Sequence, residues 1–395
     1  MQPFTGIFND SFPPIIDGVS LAVQNYARWL SSEGERPCVV TPRNPVAVET
    51  PYPVLRYFSL PIANRKPYRY GYPKFDFKIW RLLRHTPMRL VHCHCPFSSG
   101  RLGAYAARKQ RIPLIATFHS KFRNDLEHSF QNTPWMVNII MRRILDFFNG
   151  CDHVWIPQAA VEETVREYGY SGKLTVVENG NDMASLYSPE ELPMAKHAAR
   201  RELGIPDGVI SLLFVGQHIL EKGIMVVAQT LKLLKGQGVD FRMHFIGQGY
   251  ALPRLEQYIK ENGLEGKCTI HGVVTARDQL AKHYTAADVF LFPSFYDNAP
   301  LVVREAAAMG TPSVLPAGST ASEVILDGVN GLLTSATPEQ YAAVVKHLTE
   351  NRDVCAALGM KARETLTRSW DDVMEEVSQR YLEIIKRYNH GHRNS

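Results

Sequence analysis

Residues 288–316 read DVFLFPSFYDNAPLVVREAAAMGTPSVLP, and an α/β architecture can be read outward from them. Val289 to Phe292 is a short apolar run stopped by Pro293 and Ser294, the pattern of a strand buried on both faces. A polar loop, Ser294 to Pro300, leads into a helical run, Leu301 to Met309, which Gly310 ends as a C-cap. Thr311-Pro312 then opens a second apolar run, Ser313 to Leu315. Strand, loop, helix, strand is the βαβ unit of a parallel sheet. The loop follows the carboxyl end of the first strand, where open α/β sheets bind their ligands. Asp297 stands in that loop and Glu305 in the second turn of the helix. A Glu beside Ala306, Ala307 and Ala308 is not buried without a partner, and a diol such as a ribose would satisfy it.

The same alternation runs through the rest of the chain. Phe4 to Phe8 reads as a strand and Asn9 to Gly18 (NDSFPPIIDG) as a loop. A helix follows with Val19, Ala22, Val23, Tyr26 and Leu30 on one face, then a strand, Pro37 to Thr41. Gly18 lets backbone approach a phosphate, and helix-terminal N–H groups attract anions; a plain turn uses a glycine in the same way. G-x-G-x-x-G is absent here, which argues against a hydride-transfer enzyme. The second alternation starts with a strand ending at Gly216, the loop Gln217 to Gly223 (QHILEKG) and a helix over 224–235. Strands over Phe241–Gly249 and Cys268–Val274 follow, with helices over 252–263 and 279–287. Helices near 338–350 and 353–366 come after the central stretch, and an amphipathic helix over 370–388 is the last. The polar, proline-containing stretch 188–207 reads as a linker between domains 1–187 and 208–369, with 370–395 a terminal helix and tail.

Composition narrows the function classes. A chain of 395 residues exceeds one ordinary core and fits two domains. No apolar run reaches about 18 residues, so no transmembrane helix is expected. MQPFTGIFNDSF lacks the features of a signal peptide, so a cytoplasmic protein is expected. The six cysteines are scattered, as in reduced thiols. Residues 1–188 hold 22 Lys+Arg against 15 Asp+Glu, and the remainder 22 against 24, so the first half is the one to meet an anionic partner. Within it, residues 56–89 carry nine basic residues and one acid, Asp76. A helix over 74–84, with Phe75, Ile79, Leu82 and Leu83 apolar, lies either on an anionic membrane or on the scaffold with a solvated basic face. The run Thr133 to Cys151, apolar but for Arg142 and Arg143, is either core or the wall of a lipid acceptor site. His92, Cys93, His94 and Cys95 alternate between two strand faces. Four consecutive residues cannot wrap a tetrahedral ion, so no metal is expected there or elsewhere.

The stretch 297–305 resembles the signature of family-4 glycosyltransferases, retaining enzymes of the GT-B fold: an acidic residue, seven residues, Glu, then G-x-P and a strand. The segments G-Q-x-x-x-x-K-G at 216–223, H-x-H-x-P-F at 92–97, T-F-H at 117–119 and N-G-N-D at 179–182 are similar to further family motifs, so the resemblance spans the chain. It implies two facing Rossmann-like domains with a cleft between them, and a C-terminal helix that crosses back to the first domain. By resemblance Glu305 holds the donor ribose and Asp297, with Asn298, the donor sugar. Lys222 and backbone N–H groups near Gly18 and Leu301 bind the diphosphate, Gly216 and Gln217 flank it, and Val274 marks the base pocket. His119 lies beside the sugar, and Asn124 to His128 forms an acceptor-facing loop. His119, Lys222 and Asp297 are the residues expected to carry catalysis, with no metal and no cofactor beyond the nucleotide sugar. The sequence departs from the family at Asp297, where Glu is usual, at Pro300, where Gly is frequent, and at Gln217, where Arg is usual. The N-terminal motifs look close to those of diacylglycerol glucosyltransferases. Transfer of a hexose from UDP-glucose to a lipid at an anionic cytoplasmic membrane face is therefore expected. A soluble sugar or polysaccharide-precursor acceptor is the alternative, and a GT-B nucleotide-sugar epimerase a further one. No nucleic-acid partner is expected.

Overall fold

The computed structural model describes residues 2–62, 67–130 and 133–393, without the side chains of 128, 129 and 391–393. Of the expected elements, Arg65 and Lys66 in the basic segment and the side chain of His128 lie outside these. Two compact units form: 1–180 together with 370–395, and 181–369.

The first unit carries β1 (Phe4–Phe8), β2 (Pro37–Pro42), β3 (Val54–Tyr57), a short hairpin of β4 (Ser59–Pro61) and β5 (Arg69–Gly71), then β6 (Met88–Cys93), β7 (Leu114–Thr117), β8 (His153–Ile156) and β9 (Leu174–Val176). Apart from the hairpin these strands form one parallel sheet, ordered β3-β2-β1-β6-β7-β8-β9. Alternate residues feed two cores, because successive side chains of a strand point to opposite faces. Phe8, Val40, Ala116 and Ile156 enter one core; Ile7, Val39, Ile115 and Trp155 enter the other. Helix Gly18–Ser32 and the final helix, Trp370–Arg393, cover that second face with Ala22, Val23 and Tyr26 and with Val373, Met374, Val377 and Tyr381. Helix Trp370–Arg393 thus completes the core of a sheet that began at residue 4.

The second unit carries β10 (Ile210–Val215), β11 (Phe241–Ile246), β12 (Cys268–Ile270), β13 (Val289–Leu291), β14 (Ser313–Pro316) and β15 (Leu332–Thr334), all parallel and ordered β12-β11-β10-β13-β14-β15. Leu212, Phe214, Val289 and Leu291 face one core and Leu213, Val215, Phe290 and Phe292 the other. This doubly wound order places a topological switch between β10 and β13, where the chain turns in opposite directions and opens a crevice beyond the strand ends.

Several local readings are corrected. Residues 188–207 are not an open linker: Leu192–Glu202 is a helix packed in the second unit. Lys196 (2.8 Å) and Arg200 (2.9 Å) pin it to the buried carboxylate of Asp288, which also takes Arg352 at 3.0 Å and the Ser211 amide. In the basic segment the helix begins at Phe77 rather than Lys74, because the Asp76 side chain caps it by accepting from the Ile79 amide at 3.2 Å. Phe75 is left outside that helix and exposed. The expected acceptor loop after Asn124 is a helix, Phe122–Ser129. Strand β12 stops at Ile270, so Val274 lies in the loop beyond it.

Candidate active site

In the second unit the loop after β10 and the loop after β13 meet at the switch point. Gly223 permits the approach. Its φ is +70°, and a Cβ there would sit 2.5 Å from the Pro293 carbonyl oxygen, so only glycine fits without backbone movement. The residue before it, Lys222, ends a 3-10 turn over Leu220–Lys222. Its ammonium donates to Asp297 Oδ1 at 2.9 Å and lies 5.8 Å from the centre of the Phe292 ring. The lysine stem runs over Gly216. The Ser294 hydroxyl holds the other Asp297 oxygen at 2.7 Å. Asn298 beside it is buried, and Gln217 is exposed. The structure therefore brings Lys222, Asp297 and Gly216 together.

Helix Leu301–Ala308 starts here behind Pro300, and no side chain caps its N-terminus. The helix beginning at Gly18 is different. Asp17 caps it, accepting from the Ser20 amide at 2.7 Å, while Ser20 Oγ accepts from the Asp17 amide at 2.9 Å. A resident carboxylate already satisfies that positive helix end. For an anion the open N-terminus at Leu301 is the better host.

Glu305 is 5% exposed, and its partners come from elsewhere in the same unit. Tyr284 donates its hydroxyl to Oε2 at 2.9 Å, and Arg277 lies 2.8 Å from Oε1. Arg277 also donates through Nε to Asp182 at 3.0 Å, so one guanidinium joins the N-G-N-D turn to the helix that carries Glu305. Burial alone would push the Arg277 pKa down; the two carboxylates reverse this and hold it above its ordinary value. Burial, followed by the Glu305 charge, pushes the Tyr284 hydroxyl well up. Two partners use part of the roughly four lone-pair positions of a carboxylate, and acceptor capacity remains. Sequence reading missed Arg277, Asp182 and Tyr284. The one available signal was the need of a buried Glu for a partner.

In the first unit, His94 and His119 stack with ring centres 5.3 Å apart, and His94 Nδ1 meets His119 Nε2 at 3.0 Å. His92 sits behind them, bonded to Thr117 Oγ1 at 2.7 Å and to the Tyr381 hydroxyl at 2.6 Å. Burial pushes His119 down to about 4. Burial, then the neighbouring histidines, pushes His94 well below its ordinary range. Burial thus favours the neutral imidazole in both, with one nitrogen a donor and the other an acceptor. Asp10, at the carboxyl edge of β1, accepts from the Ser99 amide at 3.0 Å and the Tyr57 hydroxyl at 3.1 Å. This second acid of the Asn9–Gly18 loop was also missed.

Residues 16–185 match the model of "Glycosyltransferase Family 4" and residues 195–365 that of "Glycosyl transferases group 1". Over 314 residues the chain is 30% identical to a D-inositol 3-phosphate glycosyltransferase of Xylanimonas cellulosilytica, covering 75% of this chain and 72% of the relative. Over 353 residues it is 24% identical to an alpha-monoglucosyldiacylglycerol synthase of Streptococcus pneumoniae, covering 88% and 79%. Anabaena HepE, solved with UDP and glucose, superposes with a TM-score of 0.75 at 19% identity, over 96% of this chain and 99% of that one. With two doubly wound parallel sheets and both family segments in order, the chain belongs to the group 1 and family 4 glycosyltransferases of the GT-B fold.

Proposed function

We propose that this glycosyltransferase moves a hexose from a nucleotide sugar, with UDP-glucose the favoured donor, to a lipid acceptor such as diacylglycerol or a glycolipid at the cytoplasmic face of a membrane. The transfer keeps the anomeric configuration and needs no metal at the diphosphate. The observation that carries the donor reading is the Lys222–Asp297 pair at the switch point, beside the open helix end at Leu301. When the donor enters, Lys222 exchanges Asp297 for the diphosphate. The lysine and the helix N–H groups then face the charge that grows on the leaving phosphate. Asp297, released from the lysine, and Asn298 take sugar hydroxyls. Glu305, held in place by Arg277 and Tyr284, takes the ribose, and backbone near Val274 meets the base. The bond from the anomeric carbon to the phosphate oxygen breaks. The acceptor hydroxyl bonds to that carbon on the same face, and its proton passes to the leaving phosphate oxygen. Neutral His119 supplies a hydrogen bond to a sugar hydroxyl.

The acceptor reading rests on exposed apolar groups beside basic ones. Phe75 and Phe77 are 73% and 85% exposed, next to the exposed cations Lys74, Lys78, Arg81 and Arg84. Trp135 and Ile139 lie exposed on helix Pro134–Asn149, which also presents Arg142 and Arg143. Aromatic rings combined with basic side chains suit an anionic lipid interface. Among the described residues no helix is long and apolar enough to cross a membrane. The pneumococcal relative, an alpha-monoglucosyldiacylglycerol synthase, supports a diacylglycerol-derived acceptor. The inositol phosphate relative, at higher identity, favours a soluble acceptor as the second reading.

A thermal-shift screen of UDP-, GDP- and ADP-sugars identifies the donor, since a ligand at about 100 times its dissociation constant adds roughly 2.7 kcal/mol. Incubating that donor with diacylglycerol vesicles, and separately with soluble sugars and inositol phosphates, assigns the acceptor. NMR of the product gives the anomeric configuration. A donor epimerised without any acceptor would refute the transfer reading.

A further inference from the structure

Three histidines of the second unit meet on the sheet face covered by helix Arg277–Ala286. His244 comes from β11, His271 follows the end of β12, and His283 lies on the helix. His244 and His271 stack with ring centres 5.1 Å apart, and His271 and His283 are 4.4 Å apart at 60°. One nitrogen from each ring lies within 4.8 Å of the others. A single hydrogen bond is made inside the group, His244 Nδ1 to His271 Nε2 at 2.9 Å. His244 Nε2 and His283 Nδ1 are buried without a hydrogen-bond partner. A buried polar atom left unpaired is costly to a fold, so three imidazoles gathered around one internal bond carry more ligating capacity than the protein itself uses.

We propose that His244, His271 and His283 form a binding site for a divalent transition-metal ion of the zinc class. Three imidazoles and no carboxylate suit Zn²⁺, Cu²⁺, Ni²⁺ or Co²⁺ and disfavour Mg²⁺ and Ca²⁺, which require oxygen ligands. A tetrahedral ion with bonds of about 2.0–2.1 Å sets its ligand atoms roughly 3.3 Å apart. The three ring nitrogens start within 4.8 Å of one another, so the rings close in to reach that spacing. Water completes the fourth position.

The ion is a staple and takes no part in sugar transfer. It ties β11 and the end of β12 to helix Arg277–Ala286, whose Arg277 and Tyr284 hold Glu305. Occupancy of the site stiffens the mounting of that carboxylate.

The test uses the full chain after dialysis against a chelator. Titration with Zn²⁺ in competition with a chromophoric chelator, and with Co²⁺ followed by its visible tetrahedral absorption, is expected to show one saturable equivalent. His271→Ala, at the half-exposed member of the group, and His283→Gln each lower the affinity at least about 10-fold. His85→Ala, an exposed histidine of the first unit, leaves it unchanged. Zn²⁺ raises the melting temperature of the parent and of His85→Ala, but not of His271→Ala. The proposal is overturned by the absence of a saturable equivalent. It is equally overturned by the same affinity in His271→Ala and His85→Ala, which would reduce the cluster to a hydrogen-bonded pair with a neighbour.

Discussion

The ammonium of Lys222 lies 2.9 Å from the carboxylate of Asp297, with both side chains mostly buried, at the point where the second sheet reverses direction. Removing either partner leaves a largely desolvated charge. Lys222→Ala is expected to lower kcat by about 10²–10³, the effect of losing a donor aimed at developing charge. Gln217 is exposed and neutral, and Gln217→Ala is expected to cost about 1 kcal/mol or less. Steady-state kinetics on both variants checks the order. A larger loss at Gln217 would mean that another residue supplies the positive charge.

Glu305 separates a scaffold role from a donor role through two variants. Glu305→Ala is expected to remove nucleotide binding measured by calorimetry. Arg277→Ala strands the same carboxylate without its cation. A fully buried pair loses roughly 3–5 kcal/mol on such a change. Arg277 is 29% exposed, so a stability loss on the order of 2 kcal/mol is expected in urea titration. Unchanged UDP affinity in Glu305→Ala would leave Glu305 as a structural partner of Arg277 alone.

The exposed ring–cation segment predicts vesicle binding. Neutralising Lys74, Lys78, Arg81 and Arg84 together is expected to weaken co-sedimentation with phosphatidylglycerol vesicles by about 1 kcal/mol per charge at low salt. Phe77→Ser should weaken it at high salt too, since burial of a ring is not screened. Sedimentation equal to that of the parent would return this segment to a solvated scaffold face.

The pH dependence of stability follows from the buried histidines. His119 is held at about 4 and His94 well below 6.5 by burial. A histidine with a lowered folded-state pKa is neutral in the folded chain and gains its proton on unfolding. The stability tied to it is complete above about 6.5 and is lost as pH falls toward 4. Urea midpoints are therefore expected to fall from pH 7 to pH 5, and to fall less in His119→Gln. An equal slope in that variant would mean that His119 titrates normally.

Tyr381 tests the closing helix. It is fully buried, stacks on Trp155 at 5.7 Å and bonds His92 at 2.6 Å. Tyr381→Ala is expected to cost about 3–5 kcal/mol, as for other large buried aromatics. Tyr381→Phe keeps the packing but strips His92 of a partner, for about 1–3 kcal/mol. Chemical denaturation distinguishes the two.

The sequence by itself determined the α/β alternation, the two family segments and the positions of Lys222, Asp297 and Glu305. Each of these is written in a local pattern: an apolar run stopped by proline, a glycine ending a turn, an acid at a fixed distance from a helix start. Cap chemistry was local too, yet the Asp76 cap was missed, because the helix it opens reads as starting earlier, at Lys74. Tertiary structure alone decided which groups satisfy the buried ones. Arg277 reaches Glu305 and Asp182, Tyr381 reaches His92, and Lys196 and Arg200 bind a stretch that reads as a linker to Asp288. The same holds for His244, His271 and His283, which come from a strand, the loop after another strand and a helix. No spacing encodes such a meeting. It follows from the register of parallel strands and the packing of crossover helices, which place residues far apart in the chain on one sheet face.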